Sequence, residues 1–438
     1  MAGEFPLGWK LLPIGSCMAA LIDYRGKSPR KVSSGIPLIT ARVVKGGRIL
    51  TPDEYIAEAD YEEWMRRGIP EAGDILLTTE APLGEVAQLD GRKVALAQRL
   101  ITLRGKSGVM DNRFLKFAMQ SDFVQSQLRA RATGTTVHGI RQSELRKVQL
   151  PVPHISEQKA IARVLGMLDD KIALGQRMNA TLEAMARAIF RSWFLDFDPV
   201  RAKAEGRQPF GMETETVALF PDSFQESSLG KIPKGWNVGP ILARAKLLSG
   251  GTPKTDRKEY WNGGILWASA KDVSQSRETF LIETERTISE CGLAESATQL
   301  IPRFCTVIVA RGATTGRMAI LGSEMAMNQT CYALAATANT PFFLYCLLQH
   351  EVGQLVHAAH GSVFDTITTD TFARSRVVLP PERVVEAFEM QVGPLFQRIL
   401  ANTIESSALA STRDLLLPKL ISGEIRVNHE EISSGGTR

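Results

Sequence analysis

Acidic residues a few positions from a lysine can hold a divalent cation over a scissile phosphate, and PDSFQESSLGK (221–231) offers Asp222, Glu226 and Lys231. The stretch reads instead as a solvated loop in a linker, while the acid-x-Lys triplets EQK (157–159) and DDK (169–171) fall on a helical pattern. Two GKS triplets, at 26–28 and 105–107, lack the glycine five positions earlier that completes a phosphate cradle. An adenine methyltransferase would need an Asn/Asp-Pro-Pro-aromatic motif and a glycine-rich cofactor loop, yet Pro-Pro occurs only in LPPER (379–383). His138, His357 and His360 form no metal-ligand pattern with other candidates. The chain is therefore expected to hold no cofactor of its own and to perform no catalysis.

What remains is chemistry of contact. A turn rich in Gly, Ser and Thr lets backbone N–H groups and short hydroxyls approach phosphates, and nearby Arg and Lys add charge and bidentate contacts to guanine. In the first half the candidates are Arg42, Lys45, Arg48, Thr78, Thr79, Arg131, Thr135, Thr136 and His138. In the second they are Lys254, Lys271, Arg311, Thr314, Thr315, Arg317, His360 and Ser362. The net charge of +5 permits a polyanionic partner without requiring one.

These candidates recur because the chain repeats itself. ATGTTVHGIRQSELRKVQLPVP (132–153) is answered by AHGSVFDTITTDTFARSRVVLPPE (359–382), an offset close to 227 residues. LGWK (7–10) pairs with KGWN (234–237), and GKSPRK (26–31) with GGTPKT (250–255). PLITARVV (37–44) beside LWASAKDV (266–273) sets Arg42 opposite Lys271, and GDILLTTEAPLGEVA (73–87) lies beside CTVIVARGATTGRMA (305–319). So long a period marks a duplicated domain rather than a solenoid.

The elements that must position the loops follow the same order twice. A β-leaning part precedes a helical stretch, RFLKFAMQSDFVQSQL (113–128) or PFFLYCLLQHEVGQLV (341–356), then the hydroxyl-rich loop, then a long helix from about Ser156 to Phe197 or Pro381 to Ser422. In the first long helix Ile161, Leu165, Leu168, Ile172, Gly175, Asn179, Leu182, Ala186, Ile189 and Trp193 trace a coiled-coil seam. The second repeats it as Phe388, Val392, Leu395, Ile399, Asn402, Ser406, Leu409, Arg413, Leu416 and Leu420, broken only by Arg413. Both seams are small or polar in the middle, which predicts an antiparallel pair in which Gly175 and Asn179 meet Asn402 and Ser406. Pro394 and Pro418 have no counterpart in the first helix, so the second is expected to be bent or shorter.

The fold class expected is α+β: two similar modules separated by a pair of long antiparallel coiled-coil helices, with pseudo-two-fold symmetry. The boundaries are a first module 1–153, a long helix 154–200, a linker 201–230, a second module 231–380, a long helix 381–425 and a tail 426–438. Five scattered cysteines with no C-x-x-C spacing support neither a disulfide framework nor a zinc site, so a reducing cytosol is expected. With no leader pattern and no apolar run approaching about 18 residues, a soluble, cytoplasmic protein without membrane contact is expected.

That order of modules and helices, with LPVPHISEQKAIARVLGMLDDKIALGQRMNATLEAMARAIFRSWF (150–194), LLLPKLISGEIRV (415–427), GTTVHGI (134–140), GSVFDTI (361–367) and MNQTCYAL (327–334), resembles the specificity subunit of type I restriction-modification systems. The resemblance covers nearly the whole chain. It implies two target-recognition domains, each reading one half of a split, asymmetric duplex DNA site, with the helix pair setting the unread spacer. It also implies as partners two methyltransferase subunits, which methylate adenine N6 from S-adenosylmethionine, and optionally two restriction subunits using ATP and Mg. The alternatives are a protein-binding coiled-coil scaffold, the specificity subunit of another phage-defence modification system, and a self-sufficient nuclease or methyltransferase, which the missing motifs disfavour.

Overall fold

Apolar residues spaced by alternating threes and fours become two helices of 40 and 41 residues, Ile155–Phe194 and Glu382–Ser422. This is a computed structural model, and it describes residues 5–24, 26, 28–134, 138–360 and 366–427, without the side chains of 358–360. Contacts divide the chain into one unit of residues 1–172 and 408–438 and another of residues 173–407.

In the first unit a four-stranded antiparallel sheet runs in the order Met18–Asp23, Leu100–Gly105, Ile75–Thr79, Leu83–Gln88. A second sheet pairs Ala95–Leu96 parallel to Ile36–Ile39, which pairs antiparallel with Tyr55–Ile56. Strand Lys10–Pro13 closes on Gln149–Val152. The stretch expected as one helix at 113–128 is two, Asn112–Gln120 and Asp122–Ala130. Ser121 divides them: its backbone is extended and its hydroxyl accepts the Val124 N–H, a helix start written into the middle of an apolar period.

The second unit repeats this connectivity. Its main sheet runs Ala245–Ser249, Cys331–Ala336, Thr306–Val309, Met318–Leu321, with Phe280–Leu281 added at the edge. Trp261–Ala268 pairs parallel with Ala326–Met327 and antiparallel with Arg286–Ile288, and Asn237–Gly239 closes on Val377–Leu379. The corresponding helix, Pro341–His360, is unbroken. Half-buried Glu389 accepts the N–H groups of Phe342 and Phe343 at 3.0 and 2.8 Å and so caps its start, while desolvation pushes the carboxyl up to about 7.

Within each unit the two long helices run antiparallel. In the second unit the Asn402 amide donates to Asn179 Oδ1 at 2.9 Å, the Asn179 amide donates to the Thr403 hydroxyl at 3.3 Å, and Gly175 faces Ser406. Further along, Trp193 packs on Phe388. In the first unit Asp169 meets Arg413 at 2.9 Å, and Glu157 meets Arg426. The polar centre thus pairs with itself as its spacing predicts. Leucine at position 179 would leave Asn402, 3% exposed, buried without its acceptor. An N179L variant is expected to cost about 1–3 kcal/mol. Adding N402L should recover most of that loss in denaturant titration, and equal losses in single and double variants would speak against the pairing.

The expectation of a shorter second helix fails: it spans Glu382–Ser422 without interruption at either proline. Each removes one N–H, and the carbonyls released, at 390 and 414, belong to residues on the outer face: Met390 is 79% exposed and the Asp414 side chain 63%. On a solvent-facing side of the helix, water can take the place of each lost bond. The stretch expected as a linker at 201–230 carries secondary structure. It holds helices Asp198–Ala204 and Thr214–Ala218, and the supposed loop 221–231 enters a hairpin in which Phe224–Ser227 pairs with Gly230–Pro233. Phe220 and Ile232 are buried in the aromatic core beneath.

Candidate nucleic-acid interface

The two repeated loops dock on their modules by the same bond. In the first, strand Ile75–Thr79 ends with the Thr79 carbonyl accepting the Ile140 N–H at 3.0 Å, and Glu80 bridges to Gly139. In the second, strand Thr306–Val309 is followed by the Ala310 carbonyl accepting the Ile367 N–H at 2.8 Å, and Arg311 bridges to Thr366. Thr133 and Gly139 exchange two hydrogen bonds, 2.8 and 3.0 Å, that close the neck of the first loop. Each hydroxyl-rich loop is therefore anchored on one side of the turn that leaves the central strand.

In the second module that turn is basic and tightly built. Gly312 and Gly316 take φ of +96° and +89°, and the Thr315 N–H and hydroxyl both donate to the Gly312 carbonyl, at 3.1 and 2.7 Å. A Cβ on Gly316 would lie 2.6 Å from Val356 Cγ2, so only glycine fits. Arg311, Thr314 and Arg317 are exposed around it and Thr315 is half-buried. In the first module Glu80 occupies the position of Arg311 and pairs with Arg99 at 2.9 Å. The two turns differ in charge on equal scaffolds.

Other candidates are placed as follows. Arg42 follows strand Ile36–Ile39 and pairs with Asp53 at 2.5 Å; Lys271 follows strand Trp261–Ala268 and pairs with Glu285 at 2.5 Å. They occupy equivalent places, as aligned. Lys45 is exposed opposite half-buried Arg48 across a two-residue turn of Gly46 and Gly47, both at positive φ. Arg131 ends helix Asp122–Ala130, 3.6 Å from Glu144, and His138 is exposed at the loop neck. Thr135, Thr136 and Ser362 lie outside the described residues, as does the side chain of His360.

Thr78 and Thr79 need correction. They are 0% and 1% exposed, inside a strand buried on both faces, and the Thr78 hydroxyl accepts the Glu85 N–H at 2.9 Å. The central strand runs through Thr79, so both side chains lie inside the scaffold; the Thr79 hydroxyl is buried without a hydrogen-bond partner among the described residues.

One basic group was missed. The Arg286 guanidinium lies 3.3 Å from the centre of the Trp261 ring, and the Trp261 indole N–H donates to the Lys254 carbonyl at 3.1 Å, which brings exposed Lys254 beside the stack. The pairing depends on cross-strand register between Trp267 and Arg286, which no local period reveals. Among the described residues no cluster of His, Cys, Asp and Glu could hold a metal, and no helix is long and apolar enough to cross a membrane.

A family profile described as the type I restriction modification DNA specificity domain matches residues 27–184 and again 233–384. The chain is 27% identical over 376 residues, 85% of its length and 82% of the relative's, to the type I restriction enzyme MjaIX specificity subunit of Methanocaldococcus jannaschii. It is 26% identical over 320 residues, 64% and 69% of the two lengths, to the HindI specificity subunit of Haemophilus influenzae. The crystal structure of a type I restriction-modification S subunit from M. genitalium superposes with a TM-score of 0.57 at 16% identity, covering 95% of this chain and 96% of that one, a likeness of fold.

Proposed function

The chain belongs to the type I restriction-modification specificity family, and we propose that it reads a split, asymmetric duplex DNA target, one half per module, and delivers adenine N6 methylation to it through partner methyltransferase subunits. The observation that carries this reading is the duplicated docking of the hydroxyl-rich loop, Ile140 on Thr79 and Ile367 on Ala310, beside turns of different charge. Equal scaffolds bearing unlike contact residues suit two different half-sites. Readout by such loops combines phosphate contacts that position with base-edge contacts that specify.

The chemistry belongs to the partners in this reading. Two methyltransferase subunits would use S-adenosylmethionine, and two restriction subunits would use ATP and Mg to cut. This chain would contribute binding and orientation alone.

The test is to co-express the chain with its methyltransferase subunit in a methylation-free host and map N6-methyladenine by long-read sequencing. One split motif, methylated in both halves and absent when the chain is omitted, is expected. Affinity of the complex for that duplex should fall with salt at a log-log slope of about 0.9 per phosphate neutralised. Methylation indifferent to this chain would instead favour a scaffold that binds proteins only.

A further inference from the structure

We propose that Arg286 reads a base in the half-site of the second module, donating from its guanidinium to the O6 and N7 acceptors of a guanine in the major groove. The inference rests on the DNA-reading role proposed above and adds to it a residue and a base. Arg286 opens strand Arg286–Ile288, opposite Trp267 in antiparallel register. Its guanidinium lies 3.3 Å from the Trp261 ring centre and 5.9 Å from that of Trp267. The two indoles meet edge to face at 5.2 Å.

The floor beneath the cation is fixed. Trp261 and Trp267 are 8% and 5% exposed, and their indole N–H groups donate to the carbonyls of Lys254 and Gly251, both at 3.1 Å. Stacking engages the face of a guanidinium and leaves the N–H groups at its edge for acceptors. Arg42 and Lys271 spend their charge on carboxylates; Arg286 is exposed and, among the described residues, forms no ion pair. A phosphate contact needs only charge, whereas a fork locked in one plane suits two acceptors side by side.

Register adds a second argument. Ala95 and Leu96 pair with Leu38 and Ile39 as Ala326 and Met327 pair with Trp267 and Ala268. Pro37 then faces Tyr55 as Leu266 faces Thr287, which puts Glu54 of the first module where the second has Arg286. Glu54 is held by Lys31 at 2.9 Å. Charge reverses at this position while the strands around it are conserved between the copies, as expected where two modules read different sequences.

The experiment compares the chain, R286A, R286Q and R286K, each co-expressed with the methyltransferase subunit, by methylation mapping and by binding of the purified complex to duplexes carrying single base-pair changes. R286A and R286Q are expected to lower affinity for the native target about 5- to 150-fold. They should also relax preference at one G·C pair of the second half-site, with the first half-site read unchanged. R286K should fail to restore that preference, because an ammonium cannot form the fork. Unchanged reading of the first half-site in the same complexes shows that the variants are folded. A uniform loss on all duplexes with a salt slope smaller by about one would assign Arg286 to a phosphate and overturn the proposal. So would an unaltered motif and affinity. A native complex whose methylation ignores this chain would instead sink the DNA-reading role itself, and this inference with it.

Discussion

Alanine at Phe388 is expected to destabilise residues 173–407 by about 3–5 kcal/mol. Phe388 is 0% exposed, and its ring meets Phe190, Trp193, Phe194 and Phe343 at 5.9, 5.9, 5.2 and 6.1 Å. Those four residues come from the other long helix and from Pro341–His360, so the ring joins three helices at once. Its removal loses transfer energy and edge-to-face contacts and leaves a cavity that rigid neighbours cannot close. Leucine should recover more than half of the loss. Denaturant titration followed by tryptophan fluorescence reads the effect, and a cost under about 1 kcal/mol would show that the cluster is not a structural hub.

Alanine at Asp169 is expected to cost residues 1–172 and 408–438 about 3–5 kcal/mol. Asp169, with its side chain 14% exposed, receives Lys116 at 2.5 Å and Arg413 at 2.9 Å, whose side chains are 12% and 23% exposed. Burial alone would raise its carboxyl, but the two cations outweigh burial and hold it below the usual carboxylate range. Removing the anion strands Lys116 in a poorly solvated place and leaves Arg413 with only its neighbour Asp414, at 2.7 Å. The expected loss is smaller if all three charges are replaced together by apolar side chains. Because the folded value lies below the unfolded one, the carboxylate stabilises the fold fully above about pH 4, and that contribution disappears as pH falls through the folded value. Acid titration of D169N should lack this component. An acid limb identical to that of the native chain would refute the assignment.

Legibility followed the range of the interaction. The seam of the long helices, its polar centre and the antiparallel pairing of Asn179 with Asn402 were readable because a period of three and four is a local property that the chain states twice. Arg413 stood out as the exception in that seam, yet its reason, an anion 244 residues away, has no local trace. Thr78 and Thr79 looked like a turn because a fully buried strand and its exit carry the same residue types. Arg286 was passed over since its partner is set by strand register, and the hairpin at 224–233 because its apolar residues are few and face a core supplied by other segments. The placement of the loops was legible. Which of their side chains face outward was not.

The two units also differ in when they can be completed on the ribosome. Residues 173–407 are contiguous, so everything needed for that core has been synthesised once residue 407 has emerged. The other unit draws on both ends of the sequence: Ile161 and Leu165 are covered together with Leu420 and Ile421, and buried Glu157 takes its cation from Arg426. Its sheets can form early, but that apolar face and that carboxylate stay open while some 250 further residues are made. A nascent chain halted before residue 420 would carry one finished unit and one exposed seam.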